Sequence, residues 1–169
     1  MIPVYNEQEN VEFAYNSIKD IMISISDKYD YEFIFSDNHS DDKTFSLLKK
    51  IAKDNDKVKV IRLSKNYGYQ RSILNGYNHS KGDIAIQFDC DLQDPPILIH
   101  KFLEFWEKGY DIVYGIRKTR KENIFIHASR KLFYRIIDIL SEDILPKDAG
   151  DFRLIDRKIL NILKNIDDH

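Results

Sequence analysis

The stretch Ile84-Ala85-Ile86-Gln87-Phe88-Asp89-Cys90-Asp91-Leu92-Gln93-Asp94-Pro95-Pro96 decides the reading of this chain. Lys81-Gly82-Asp83 opens it, Ile84 to Phe88 is an apolar run of strand length, and acidic residues follow at once. Pro95-Pro96 suits the first turn of a helix running through Trp106. The stretch therefore predicts a strand, a carboxylate-bearing loop and a helix. Asp89 and Asp91 are alternate residues, so on an ideal strand they share a face. Carboxylates that close raise each other's pKa unless a cation lies between them. A hard divalent cation, Mg²⁺ or Mn²⁺, prefers oxygen, takes one or two carboxylates and fills its shell with phosphate and water. The competing reading is a solvated acidic turn; the apolar strand before it and Gln93-Asp94-Pro95-Pro96 after it favour the cation. Cys90 reads as a small packing residue.

The same alternation of periods extends in both directions. Val11, Ala14, Tyr15, Ile18, Ile21, Met22 and Ile25 have helical spacing; Tyr31 to Phe35 reads as a strand, Thr44 to Asp54 as a helix and Lys57 to Leu63 as a strand. Gln70 to Asn78 is helical, Asp111 to Tyr114 a strand, and Ile124 to Leu140 a long basic helix. Strand and helix in repeated alternation predict an α/β domain with a mostly parallel, Rossmann-like sheet flanked by helices. Ligands then bind beyond the carboxyl ends of the strands. That directs attention to Pro3 to Glu7, Asp37 to Asp42, Ser64 to Gly68, Asp89 to Asp94, Gly115 to Arg120 and Gly150 to Arg153.

Composition removes several function classes. The 169 residues suit a single domain, and 43% are hydrophobic, enough for a core. With 28 acidic against 26 basic residues, the chain lacks the basic excess of a general nucleic-acid binder. One Cys forms no internal disulfide or Cys-rich zinc site and fits a reducing cytosol. The five His lack metal-ligand spacing, and no GxGxxG is present, which disfavours zinc hydrolysis and dinucleotide oxidoreduction. No apolar run reaches the roughly 18 residues of a membrane span, and no signal peptide opens the chain. The expectation is a single, soluble domain, cut at both ends, since Ile2-Pro3-Val4 is short for a central strand and the chain stops at His169 directly after a helix.

Five motifs in order identify a resemblance. Ile2-Pro3-Val4-Tyr5-Asn6-Glu7 resembles the opening of the GT-A type, family 2 glycosyltransferases, and Asp37-Asn38-His39-Ser40-Asp41-Asp42-Lys43-Thr44 their nucleotide-binding turn. Asn66-Tyr67-Gly68, Asp89 to Pro96 and Ala149-Gly150-Asp151-Phe152-Arg153-Leu154 are similar to the polyprenyl-phosphate branch, the dolichol-phosphate mannose synthases and bactoprenol glucosyltransferases. The resemblance implies a GT-A fold and a pocket for a nucleotide-diphosphate sugar. Pro3, Tyr5 and Glu7 would line the nucleotide site, with Asp37 and Asn38 near the base. Asp89, Asp91 and Gln93 would hold Mg²⁺ or Mn²⁺ on the diphosphate, and transfer would invert the anomeric carbon. The family often has Asp-Asp-Gly-Ser where this chain has Asp37-Asn38-His39-Ser40, which leaves the base open between uridine, favoured, and guanosine. One of Ser40, Asp41 and Asp42 is expected to cap the next helix.

Arg117, Lys118, Arg120 and Lys121 form a basic cluster, followed by Arg130, Lys131 and Arg135. They read either as a solvated face or as phosphate contacts. For Arg117 and Arg130 the resemblance favours a polyprenyl phosphate at the cytoplasmic face of a membrane. A phosphate acceptor is already anionic and needs positioning; a glycan hydroxyl would need a general base, for which Asp151 is the first candidate and Asp94 the second, unless a salt bridge to Arg153 or a neighbouring Arg occupies Asp151. A nucleotide-sugar-binding module without turnover is the reading from a different class.

Overall fold

The computed structural model describes residues 1–116 and 149–165. The long basic helix expected over Ile124 to Leu140 lies outside these residues. Six strands form: β1 (Ile2–Val4), β2 (Phe33–Asp37), β3 (Val58–Arg62), β4 (Ile84–Gln87), β5 (Ile112–Ile116) and β6 (Ala149–Asp156). Five helices join them: α1 (Val11–Ser24), α2 (Thr44–Asp54), α3 (Tyr69–His79), α4 (Leu98–Glu107) and α5 (Arg157–Lys164).

β1, β2 and β3 pair in parallel, in that order. β4, β6 and β5 form a second trio in which β6 runs antiparallel to both neighbours. Met1 joins the trios. Its amine donates to Ile86 O at 2.5 Å and its carbonyl accepts from Phe88 N at 3.0 Å. A residue bonded to positions 86 and 88 of its neighbour is the slanted pattern of parallel pairing. The spatial order is therefore β3-β2-β1-β4-β6-β5.

The expected parallel sheet with flanking helices is present, and β6 is its exception. Gly150 to Arg153 was expected just after a strand; it lies within one. Because β6 runs backwards, its first residues lie where the parallel strands end. Asp151 thus reaches the carboxyl-end face by a different route from the one anticipated.

Strand periodicity splits the core into two layers. Ile2, Val4, Phe33, Phe35, Leu154 and Phe152 face α1, α2 and α4, contributing to a cluster with Ala14, Ile18, Leu48, Phe102 and Leu103. On the opposite face Ala85 and Ile155 pack with Ile73 and Tyr77 of α3 and Leu160 of α5. Phe152 is 1% exposed, its ring 4.2 Å from Phe102 and 4.5 Å from Phe88. A Cβ on Gly115 would lie 3.3 Å from that ring, so the glycine leaves room for it. Trp106 Nε1 donates to Asp156 Oδ2 at 2.7 Å, tying α4 to the end of β6, where Asp156 also caps α5 by accepting from Lys158 N.

Helix α4 starts at Leu98, two residues later than Pro95-Pro96 suggested, because Pro95 and Pro96 serve as carbonyl acceptors for Leu98 and Ile99 in the lead-in turn. Among the described residues no helix is long and apolar enough to cross a membrane. Removing Phe152 should test the seating of β6 directly. Phe152→Ala is expected to cost about 3–5 kcal/mol in urea unfolding, the range for a buried Phe whose cavity cannot close.

Candidate active site

A cavity of about 440 Å³ opens at the carboxyl ends of the parallel strands. β1 contributes Pro3 and Val4 and the loop after it Tyr5 and Glu7; the loop after β2 contributes Asn38; Asp89, Cys90 and Asp91 follow β4, and Asp151 comes from β6. Asn66, Gly68, Tyr69 and Ser72 complete the wall. A larger cavity, about 550 Å³, lies at the other end of the sheet between the starts of β2 and β4. Asp30 and Glu32 there are each paired with a lysine, Lys57 and Lys59. The smaller cavity instead gathers carboxylates of like charge, which is where chemistry has a driving force.

The acidic stretch is shaped differently from its sequence reading. β4 ends at Gln87, and Leu92 N donates to Asp89 O at 3.2 Å, so Asp89 to Leu92 form a turn rather than an extended strand. Leu92 holds φ +49°, a left-handed conformation unusual for a bulky side chain. Asp89 and Asp91 both still line the cavity. Gln93 Nε2 donates to Asp91 Oδ2 at 2.6 Å, so its amide supports Asp91. Cys90 is 3% exposed, and burial together with the charges of Glu7, Asp91 and Asp89 pushes its thiol up to about 12. It is the packing residue expected.

Gln87 faces Arg153 in the β4–β6 ladder. β4 ends there, and Asp89 and Asp151 both line the cavity beyond it. Burial raises the Asp89 pKa, the hydrogen bond from Tyr69 opposes this, and the charges of Asp151, Asp91 and Asp94 raise it further. Asp151 also forms the anticipated ion pair, 3.3 Å from Arg153 Nη2. Among the described residues no three acidic, His or Cys groups converge as a complete metal cage. The donor set fits a cation of another kind. Two carboxylates in a crowded, negative cavity suit Mg²⁺ or Mn²⁺, which takes one or two protein carboxylates and completes its shell from a phosphate ligand.

The second turn holds the cavity's far wall. Asp37 is fully buried and absent from the cavity lining. Its Oδ1 accepts from Ser40 N at 3.0 Å and Ser40 Oγ at 2.5 Å, and its Oδ2 lies 3.4 Å from Arg62 Nε. Arg62 is its register partner on β3. The structure therefore engages Asp37 in holding the turn. Asn38 does line the cavity: its Nδ2 donates to Asn66 Oδ1 at 2.8 Å and its Oδ1 accepts from Tyr67 N at 2.9 Å. Asn38 thus fastens the Asn66-Tyr67-Gly68 loop, whose Gly68 takes φ +88° to start α3.

Two further contacts lace the first loop to the second: Asn6 N donates to Ser40 Oγ at 3.0 Å and Glu7 N to Thr44 Oγ1 at 2.8 Å. Asp42 is the capping residue, accepting from Thr44 N at 2.9 Å. Pro3, Tyr5, Glu7, Asn38, Asp89, Asp91 and Asp151 are thus brought together as expected. Asp37 is buried behind that surface, Gln93 is exposed and reaches the site through its bond to Asp91, and Arg117 and Arg130 lie outside the described residues. Tyr69 and Ser72 are wall residues the sequence reading did not single out; Tyr69 follows Gly68 directly, and only the entry of the helix into the cavity reveals it.

With this geometry in hand, the comparisons with known proteins become specific. The family model described as Glycosyl transferase family 2 matches residues 1–163. The chain belongs to that family. An uncharacterized glycosyltransferase of Synechocystis is 36% identical over 167 residues, 98% of this chain and 52% of that protein. A bactoprenol glucosyl transferase of Shigella phage SfX is 28% identical over 165 residues, 97% of this chain and 53% of that protein. The chain thus spans about half the length of these relatives. A mannosyltransferase of Pyrobaculum calidifontis, solved with GDP-Man and Mn²⁺, superposes with a TM-score of 0.64 at 16% identity, covering 96% of this chain and 45% of that one. Glucosyl-3-phosphoglycerate synthase of Mycobacterium tuberculosis, solved with Mn²⁺, UDP and phosphoglyceric acid, gives 0.61 at 17% identity, covering 94% and 55%. The fold is the GT-A arrangement of family 2 glycosyltransferases.

Two substitutions probe the site's construction. His39 replaces the family's usual glycine at φ +64°, and its Nδ1 lies 3.0 Å from Leu63 O. The left-handed conformation costs about 1–2 kcal/mol in any residue with a Cβ. His39→Gly is therefore expected to be about 1 kcal/mol more stable than His39→Ala, which keeps the strain and loses the contact. Asp89→Asn removes a crowded charge while keeping an acceptor for Tyr69, so it should raise the melting temperature of the metal-free protein by differential scanning fluorimetry.

Proposed function

We propose that this chain carries the donor site of a metal-dependent, inverting glycosyltransferase that moves a sugar from a nucleotide-diphosphate sugar, UDP-linked in the favoured reading, to a polyprenyl phosphate. The observation that carries the proposal is the grouping of Asp89, Asp91 and Asp151 in one cavity at the carboxyl ends of the parallel strands. Support for the donor comes from the Mn²⁺ and nucleotide complexes of the two structural neighbours. Support for the acceptor comes from the relatives named bactoprenol glucosyl transferase.

In this reading Asp89 and Asp91 hold Mg²⁺ or Mn²⁺, and Gln93 fixes the Asp91 carboxylate. The cation supplies Lewis-acid neutralisation of the leaving diphosphate. Pro3, Tyr5 and Glu7 shape the nucleotide end of the cavity. Asp37 and Asn38 act there indirectly: Asp37 braces the turn through Ser40 and Arg62, and Asn38 braces the loop at Asn66. A phosphate monoester with its second pKa about 6 is already a nucleophile near neutral pH. It calls for guanidinium forks to place it, the role assigned to Arg117 and Arg130. Asp151 then has no proton to remove. Its contribution is to add negative charge to the cavity near Asp89 and to pair with Arg153. Work on a lipid phosphate places the site at the cytoplasmic face of a membrane.

Calorimetric titration with UDP-glucose and GDP-mannose, each with and without Mn²⁺, tests the donor site. Binding of one donor is expected to tighten with Mn²⁺, and Asp91→Asn is expected to abolish that gain; an unchanged gain in the variant would remove the proposed metal site. Labelled sugar appearing in an organic extract after incubation with undecaprenyl phosphate supports the lipid acceptor. Label confined to the aqueous phase on a glycan would move the acceptor to a hydroxyl and return Asp151 to the role of base.

A further inference from the structure

Behind Asp89 runs a chain of polar groups whose donors all point one way. Tyr77 OH donates to Gln87 Oε1 at 2.9 Å. Gln87 Nε2 donates to Tyr69 OH at 3.3 Å, and Tyr69 OH donates to Asp89 Oδ1. Gln87 is wholly buried in β4, and Tyr77 is buried in the layer under α3. Tyr69, on the first turn of α3, is 40% exposed and lines the cavity.

The direction of this chain matters. A buried amide with one side committed to Tyr77 offers its N–H to Tyr69. The Tyr69 oxygen is then an acceptor from Gln87, and its single proton goes to Asp89. A carboxylate held at one oxygen by a fixed donor turns its other oxygen to a defined direction. Ligating carboxylates are commonly held this way by groups behind them, and loss of such a partner typically weakens metal binding 10–100-fold. No other hydrogen bond to the Asp89 side chain is present among the described contacts, so Tyr69 is what fixes its rotamer.

We infer that Tyr69, aimed by buried Gln87, is a positioning residue that orients Asp89 for a divalent cation bridging the cavity to a nucleoside diphosphate. This rests on the donor site proposed above. Tyr69 acts through Asp89, so its hydroxyl should affect the metal-dependent part of nucleotide binding alone.

The experiment is calorimetry of wild type and Tyr69→Phe with UDP and with GDP, each in Mn²⁺ and in EDTA, reporting for the tighter nucleotide the ratio of the two affinities. Phe keeps the ring and removes only the hydroxyl. The Mn²⁺ gain is expected to fall roughly tenfold or more in the variant, while affinity in EDTA stays close to wild type and the melting temperature in EDTA falls modestly, because buried Gln87 loses its acceptor. Two results would overturn the inference while leaving the donor site intact: an undiminished Mn²⁺ gain in Tyr69→Phe, or an equal loss of affinity in EDTA, which would make Tyr69 a direct nucleotide contact. Absence of any Mn²⁺ gain in wild type would overturn the donor site and the inference with it.

Discussion

Asp89, Asp91 and Asp151 line one cavity, where burial and the neighbouring carboxylates raise the Asp89 pKa. β6 enters between β4 and β5 in the reverse direction, so its first residues arrive where the parallel strands finish. Folding holds them there by burying Phe152 against Phe102 and Phe88 immediately beside Asp151. Apolar burial on one face of β6 thus maintains a charge cluster on the other. Sites that store such unfavourable electrostatics are poised for a ligand of opposite charge, and a divalent cation with its phosphate partner answers that description.

The opposite wall is built from neutral and compensated groups. Asp37 is the instructive case. A carboxylate at the end of a central strand is the residue that ligand-binding rules pick out. Here Ser40 donates twice to its Oδ1 and Arg62 lies beside its Oδ2, while its neighbour Asn38 lines the cavity and fastens the loop at Asn66. One buried charge fixes a turn; the turn presents an amide. The cross-links from Asn6 and Glu7 to Ser40 and Thr44 make the first two strand-end loops one unit.

Much of this was legible in the chain itself. Helical and strand periods located α1 to α4 and β2 to β5 to within a few residues, because the helices carry apolar residues at helical spacing and the strands are short runs rich in β-branched and aromatic residues. The acidic loop and its metal reading came from residue types in series. What escaped had non-local causes. The alternation of Phe152 and Leu154 with Asp151 and Arg153 is a strand signal, but its antiparallel insertion depends on β4 and β5 flanking it. Arg62 reaches Asp37 through the β2–β3 register, invisible at a separation of 25 positions. Asp89 and Asp91 line one cavity through a turn with Leu92 in a left-handed conformation, where strand alternation had offered a different reason for the same outcome. Tyr69 gained its place only from the helix start that Gly68 permits.

The central claim is that the carboxylates after β4 hold a divalent cation for a nucleoside diphosphate. Anomalous diffraction at the manganese edge, from crystals grown with Mn²⁺ and UDP or GDP, tests it most directly. The account predicts one manganese peak within bonding distance of Asp89 or Asp91, with the diphosphate completing its shell in the cavity that Asn38, Tyr69 and Asp151 line. Nucleotide bound in that cavity with no manganese beside either carboxylate, or manganese bound elsewhere on the chain, would contradict it.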